Sequence, residues 1–256
     1  MTYITIKDLE KTFFPNTNRE HKALRGINLT IEKGDFITIV GGNGAGKSTL
    51  LNALAGSLPV DKGQIIMQET NMTNLPEHKR AKFISRVFQN PLQGTAPRMT
   101  VAENMSLAFR RGKFRGLKQG SSLAERQQFQ ELLAKLDLDL EGRLDAEMGL
   151  LSGGQRQAIA LLMATMIEPK LLLLDEHTAA LDPKTQMKIM KLSQETIEQH
   201  HLTTFMITHN LQDALQYGNR MIVMHQGQIV ADYQGEAKQD MTVHQLFDEM
   251  NALEYQ

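Results

Sequence analysis

Apolar residues are spaced two or three apart at Ile4, Ile6 and Leu9, and alternate at Ile27, Leu29 and Ile31 before the turn signal Gly34-Asp35. Such spacing predicts extended strands with one buried face. Phe36-Ile37-Thr38-Ile39-Val40 is largely apolar and β-branched, the pattern of a fully buried strand. Glycines follow at once. Leu50, Leu51 and Leu54 then share one face of a helix predicted from Lys47 to about Ala55, with Gly56 as its end. From about Pro91 to Glu168 the chain is helical in character. There Ser122 and Glu125 match a capping box, and Phe129, Leu132, Leu133 and Leu136 follow at helical spacing.

Leu171 to Leu174 and Thr203 to Ile207 predict two more buried strands. Asp182-Pro183 supplies an N-cap and first residue for a helix reaching about His200, and Asn210 caps one ending near Gly218. Met221 to Met224 and Gln228 to Ala231 flank a hairpin signal at His225-Gln226-Gly227. Thr242 and Gln245 precede an amphipathic helix bearing Val243, Leu246, Phe247 and Met250. The alternation of strands and helices at both ends predicts an α/β core at about 1–90 and 168–256, with a helical subdomain inserted at about 91–167.

Composition narrows the class. Lys plus Arg number 28 against 29 Asp plus Glu, a net charge of −1. That balance argues against general nucleic-acid binding, which needs a positive field. With no cysteine, disulfides, thiolate metal sites and cysteine nucleophiles are excluded. No stretch has the roughly 18 apolar residues of a membrane-spanning helix. Lys7, Asp8 and Glu10 stand where a secretory signal would be apolar. A cytosolic protein without its own membrane anchor is expected.

Gly41-Gly42-Asn43-Gly44-Ala45-Gly46-Lys47-Ser48-Thr49 matches G-x-x-x-x-G-K-[ST] between a predicted strand and a predicted helix. Glycines let backbone N–H groups wrap a phosphate chain, and the helix N-terminus adds partial positive charge. Lys47 is expected to contact the β- and γ-phosphates and Ser48 to offer its hydroxyl to Mg²⁺. Asp175 and Glu176 end the buried run Leu171 to Leu174. Asp175 is expected to assist Mg²⁺, through water, and Glu176 to act on the attacking water. These features indicate a nucleotide triphosphatase.

Leu151-Ser152-Gly153-Gly154-Gln155 precedes a helical run from about Arg156 to Ile167 and offers a hydroxyl and N–H groups at a second helix N-terminus. Here the chain resembles the ATP-binding cassette (ABC) family, whose signature reads L-S-G-G-Q; the resemblance runs from about Ile4 to about Val230. It implies an α/β P-loop NTPase core with a small antiparallel β subdomain and an inserted α-helical subdomain. It implies that Phe13, or else Phe14, stacks on adenine, that Gln89 reaches Mg²⁺ and water, and that His209 contacts the γ-phosphate. Asp182 falls in a loop that crosses a dimer interface, and Ser152, Gly153, Gly154 and Gln155 act on the partner's ATP. His177 stands where many members carry proline, a tolerated substitution or a pH-sensitive group.

The family pattern implies a homodimer sandwiching two ATP, bound to integral membrane permease subunits at the cytoplasmic face of the membrane. The runs Asp175 to Lys184 and Leu75 to Arg80 resemble a bacterial subgroup serving importers with a separate extracellular binding protein, some for tryptophan or related amino acids. The alternatives are an exporter or lipoprotein-release ATPase and a soluble non-transport cassette. A P-loop kinase or GTPase would lack Leu151 to Gln155. The basic run Arg110 to Lys118 is either a solvated loop or a contact with the permease or anionic lipid.

Overall fold

The computed structural model describes residues 2–113 and 121–254. In chain order the first half forms β1 (Thr2–Phe13), β2 (His21–Glu32), β3 (Phe36–Val40), α1 (Lys47–Ala55), β4 (Lys62–Met67), β5 (Thr70–Asn71), α2 (Glu77–Arg80), β6 (Ile84–Val87), α3 (Val101–Phe109) and α4 (Leu123–Ala134). The second half forms α5 (Gly153–Thr165), β7 (Leu171–Asp175), α6 (Pro183–Gln199), β8 (Thr204–Ile207), α7 (Leu211–Gln216), β9 (Arg220–His225), β10 (Gln228–Gln234), α8 (Glu236–Gln239) and α9 (Val243–Glu254). The chain divides into two compact units, Met1–Arg80 with His201–Gln256, and Ala81–His200.

The first unit holds an antiparallel sheet of order β2-β1-β4-β5. Its buried face explains the uneven spacing of Ile4, Ile6 and Leu9. The register slips between Ile6 and Leu9, where Asp8 adopts φ 45°. Asn28 bonds both the Asp8 N–H and its carboxylate, at 3.0 and 2.9 Å, so the bulge keeps its polar groups satisfied. All three apolar residues stay buried.

In the same unit β3 lies between β8 and β9, parallel to both, with β10 antiparallel to β9. Every residue of β3 is buried, as a central parallel strand requires. Its one polar side chain, Thr38, donates to the Ala214 carbonyl at 2.8 Å. The hairpin turn is Gln226-Gly227, both at positive φ, which suits a two-residue loop between twisted strands. On α9, Leu246 is fully buried, but Val243 and Phe247 are 40% and 54% exposed, so the helix presents a narrower apolar face than its spacing suggests.

The end of α1 is closed by a side chain. Arg80 is 2% exposed. Its guanidinium donates to the Ala53 and Leu54 carbonyls at 2.6 and 2.7 Å, and to those of Leu75 and Thr73 at 2.8 Å each. It thereby satisfies carbonyls that a helix C-terminus leaves unpaired. Truncation would strand two buried acceptors, Ala53 and Leu54, and two partly buried ones, Thr73 and Leu75. Arg80→Met is expected to lose about 3 kcal/mol or more of stability at an unchanged urea m-value. A loss below about 1 kcal/mol would refute the closing role.

The second unit pairs β6 with β7 in parallel and surrounds its helices with a core that includes Val101, Met105, Phe129, Leu133, Met148 and Ile159. Phe109 and Phe129 meet edge to face at 6.0 Å. Capping boxes start α3 at Thr100 and Glu103 and α4 at Ser122 and Glu125. The described part of the basic run is held within the unit. Arg110 pairs with Glu125 at 3.1 Å, Arg111 donates to the Ile167 carbonyl at 2.8 Å, and the Lys113 ammonium lies 4.6 Å from the centre of the Phe109 ring. Phe114 to Lys118 lie outside the described residues.

Candidate functional site

In the first unit, the Gly41 to Thr49 loop leaves the C-terminal end of β3 and runs into α1. Backbone conformation dictates the glycines. Gly41 has φ 151°, and a Cβ there would lie 2.2 Å from the Met224 carbonyl oxygen. Gly46 has φ 99°, and a Cβ would lie 2.5 Å from that of Ala23. Gly44 is also at positive φ but faces open space, so its backbone is approachable. Gly46 is the N-cap of α1 and offers no side-chain acceptor to the first-turn N–H groups. Those groups and the helix dipole are therefore disposed toward an anion.

Lys47 folds back along this loop. Its ammonium donates to the carbonyls of Gly41 at 2.6 Å and Gly42 at 3.0 Å, and the residue is only 6% exposed. The charge is thus placed before any phosphate arrives. Ser48 and Asn43 are exposed. His209 follows β8, the strand parallel to β3, through the register Ile39 to Ile207. The loop and His209 therefore leave neighbouring strands at the same end. Asn210 caps α7 beside it, accepting from the N–H groups of Gln212 and Asp213. Phe13 ends β1 opposite His21, with the Lys11 ammonium 5.9 Å from its ring centre. Phe14, the alternative aromatic, is 65% exposed at φ 51°.

In the second unit, the register Val87 to Leu174 brings Gln89, Asp175 and Glu176 to one end of the β6–β7 pair. Open α/β sheets bind ligands at such strand ends. Gln89 is exposed, and the residue before it is tethered, since buried Gln157 of α5 donates to the Phe88 carbonyl at 3.1 Å. Glu176 turns off the strand at φ 48°, a left-handed conformation rare outside glycine and frequent where function fixes the backbone.

Asp175 has a partner that sequence reasoning missed. Arg86 on β6 donates to its carboxylate at 2.5 Å, and both side chains are 14% exposed. The two residues are 89 apart in sequence. A single charged residue within the short β6 run Ile84-Ser85-Arg86-Val87 is the only local signal.

The signature segment opens α5. Ser152 is its N-cap, and a capping box links the Ser152 hydroxyl oxygen to the Gln155 N–H and the Gln155 side-chain oxygen to the Ser152 N–H, at 3.2 Å each. The hydroxyl oxygen thus serves the helix, and its O–H remains the group to offer outward. Gly153 and Gly154 supply the first-turn N–H groups. Gly154 also has a packing role, because a Cβ there would lie 2.2 Å from the Thr185 methyl. Asp182 caps α6, accepting from the Thr185 N–H at 3.1 Å, and these hydrogen bonds hold its carboxyl below the usual range.

His177 is buried, and burial holds its pKa at about 4. Ser193 spends its proton on the Ile189 carbonyl, so its oxygen accepts from His177 Nε2–H at 2.9 Å. The folded chain thus refuses a proton that the unfolded chain accepts near pH 6.5. Stability falls as pH drops through 6.5 and continues to fall to about 4. Between pH 7.5 and 5, the parent protein is expected to lose about 2 kcal/mol more than His177→Gln, read from urea midpoints. Equal losses would show that His177 does not contribute. A switch near neutral pH does not fit this buried, neutral ring.

No helix of the described residues is long and apolar enough to cross a membrane. No cluster of three or more His, Asp or Glu among them could hold a metal.

Comparison with known proteins places this geometry. The family profile described as ABC transporter matches residues 24–179. The "Tyrosine transport ATP-binding protein" of Clostridioides difficile (strain R20291) is 44% identical over 246 residues, covering 96% of this chain and 97% of that protein. The "Sulfate/thiosulfate import ATP-binding protein CysA" of Halalkalibacterium halodurans is 36% identical over 88% of this chain, which spans 60% of that longer protein. Among solved structures, the dimeric post-hydrolysis state of the ATP-binding cassette MJ0796, bound to ADP and Pi, matches with TM-score 0.77 and 30% identity, covering 90% of this chain and 98% of that one. The ADP conformation of MJ1267, a cassette of an ABC transporter, matches with TM-score 0.80 and 28% identity over 98% of this chain and 99% of its own. The α/β P-loop architecture expected from the sequence is the architecture of these cassettes. The chain belongs to the ABC transporter family, whose ATP-binding proteins hydrolyse ATP to drive transport.

Proposed function

We propose that residues 1–256 act as one nucleotide-binding domain, the ATPase subunit of a solute importer, working as a homodimer on separate membrane permease subunits. The observation that carries this reading is the 44% identity spanning 97% of a tyrosine-transport ATP-binding protein. An aromatic amino acid is accordingly the first solute to test, delivered by an extracellular binding protein. The protein would sit at the cytoplasmic face of the membrane, held by the permease.

Each residue's role is part of the proposal. Phe13 stacks on adenine. The N–H groups of Gly41 to Thr49 and the Lys47 ammonium hold the phosphates, and His209 contacts the γ-phosphate. Glu176 takes the proton of the attacking water, with Gln89 orienting it. Ser152 to Gln155 reach the ATP of the partner subunit, and Asp182 lies in the loop that meets the partner. Phosphoryl transfer needs little covalent help, so catalysis is positioning and charge stabilisation.

Ser48, Gln89 and Asp175 are assigned to Mg²⁺. With no protein cage of three acids or histidines among the described residues, the donor set suits an ion that keeps waters and takes phosphate oxygens. Held by these residues, Mg²⁺ would supply neutralisation of the phosphate charge.

The permease is proposed to contact the second unit. A cavity of about 450 Å³ lies beside the Gln89 segment, with Arg86, Gln93, Asn104, Leu107, Arg111 and Met163 in its wall. The test is purification from membranes with whatever integral membrane protein accompanies the chain, followed by uptake of labelled tyrosine into vesicles holding the complex. ATP-dependent accumulation inside supports the importer. Extrusion, or copurification with ribosomes or DNA, would overturn it.

A further inference from the structure

We propose that Arg86 is a positioning residue that competes with the divalent cation for the Asp175 carboxylate, so that it sets the metal concentration at which the site loads. This inference rests on the proposed role of Asp175 as a metal-assisting group. Arg86 holds a carboxylate oxygen at 2.5 Å, with only 14% of either side chain exposed. At that separation and burial, the guanidinium contends for the same lone pairs with a cation or with the water through which a cation would reach them. Mg²⁺ sheds water reluctantly and demands near-ideal geometry, so a carboxylate oxygen already accepting a short charge-assisted bond from a guanidinium N–H is a poorer partner for it. Metal loading therefore becomes an exchange of one cation for another.

The surroundings make that exchange feasible. Arg86 sits in the wall of the 450 Å³ cavity, so a displaced guanidinium has space to move into. Its central carbon lies 4.5 Å from the centre of the Phe88 ring, whose face retains a cation–π contact as the head group pivots. The pairing of Arg86 with Leu173 across β6 and β7 fixes the main chain on both sides of the exchange. A purely structural ion pair would gain nothing from lying against an open cavity.

The experiment titrates Mn²⁺, as a spin-active substitute for Mg²⁺, into the full chain with a nonhydrolysable ATP analogue, following free metal by electron paramagnetic resonance. Arg86→Met is expected to bind Mn²⁺ at least about tenfold more tightly than the parent. Arg86→Lys, which keeps the charge, is expected to lie nearer the parent than Arg86→Met. Unchanged or weaker Mn²⁺ affinity in folded Arg86→Met would overturn the proposal. Should that variant not fold, Arg86→Gln, neutral but still a hydrogen-bond donor, carries the same expectation and the same refutation. Asp175→Asn tests the parent reading separately. If it leaves Mn²⁺ affinity unchanged, Asp175 has no part in metal binding; if it weakens affinity while Arg86→Met does not tighten it, only the competition fails.

Discussion

Glu176→Gln is expected to bind ATP as tightly as the parent protein and to hydrolyse it about 10²–10⁴-fold more slowly. Glutamine keeps the size and hydrogen-bonding reach of glutamate but cannot accept the proton of the attacking water. The turn need not change, because its φ of 48° is no harder for glutamine than for glutamate. With the γ-phosphate uncleaved, the variant is expected to accumulate as an ATP-bound dimer. Single-turnover hydrolysis and light scattering with and without ATP read the two effects. A hydrolysis rate equal to the parent's would remove Glu176 from the role of base. A variant that stays monomeric with ATP would remove the shared-nucleotide arrangement.

Lys47→Ala is expected to weaken ATP binding about 100-fold or more. Its ammonium already rests on the Gly41 and Gly42 carbonyls, at 2.6 and 3.0 Å. Binding phosphate therefore costs little reorganisation, and charge-assisted hydrogen bonds contribute about 1.5–3 kcal/mol each. Two such bonds correspond to the stated loss. The loop glycines are fixed by contacts with Met224 and Ala23 that Lys47 does not make, so the fold should remain. Lys47→Arg is not expected to rescue binding, because a planar fork does not replace a compact ammonium in so enclosed a loop. Calorimetry with ATP decides the matter, and unchanged affinity would rule out the phosphate-holding role.

Local chemistry made much of this structure readable in advance. Helix α1 begins and ends where Lys47 and Gly56 indicate, and α6 starts at Asp182-Pro183, because caps act over three or four residues. The hairpin at Gln226-Gly227 is equally local. What escaped depends on distant partners. The slip at Asp8 needs Asn28 on the facing strand. Strand β4 contains Gly63, which weakens a strand pattern, yet a Cβ there would lie 2.4 Å from the Asp8 carbonyl oxygen. Spacing puts Phe247 on the apolar face of α9, but docking on α7 through Leu246 turns it outward. The Thr100 and Glu103 box is as plain a motif as that at Ser122. Among site residues, the phosphate loop could be read from chemistry alone, whereas Gln89 and His209 needed the family pattern. No single sequence could reveal that Asp175 is already bonded to Arg86.

The cap of α5 separates two demands that a helix terminus usually merges. The boxes at Thr100 and Ser122 close with a glutamate, which adds a negative charge to the first turn. The box at Ser152 closes with Gln155, and that first turn carries no acid. Glutamate would cap the helix at least as well and would also complement its dipole. At this position, however, the amide also donates to the Leu138 carbonyl at 3.2 Å, which a carboxylate could not do. An incoming triphosphate would favour the amide, since a carboxylate there would repel it and cancel the dipole that attracts it. Gln155→Glu should thus keep the cap, lose the bond to the Leu138 carbonyl and lower the protein's response to ATP. The helix start would then be tuned to charge neutrality.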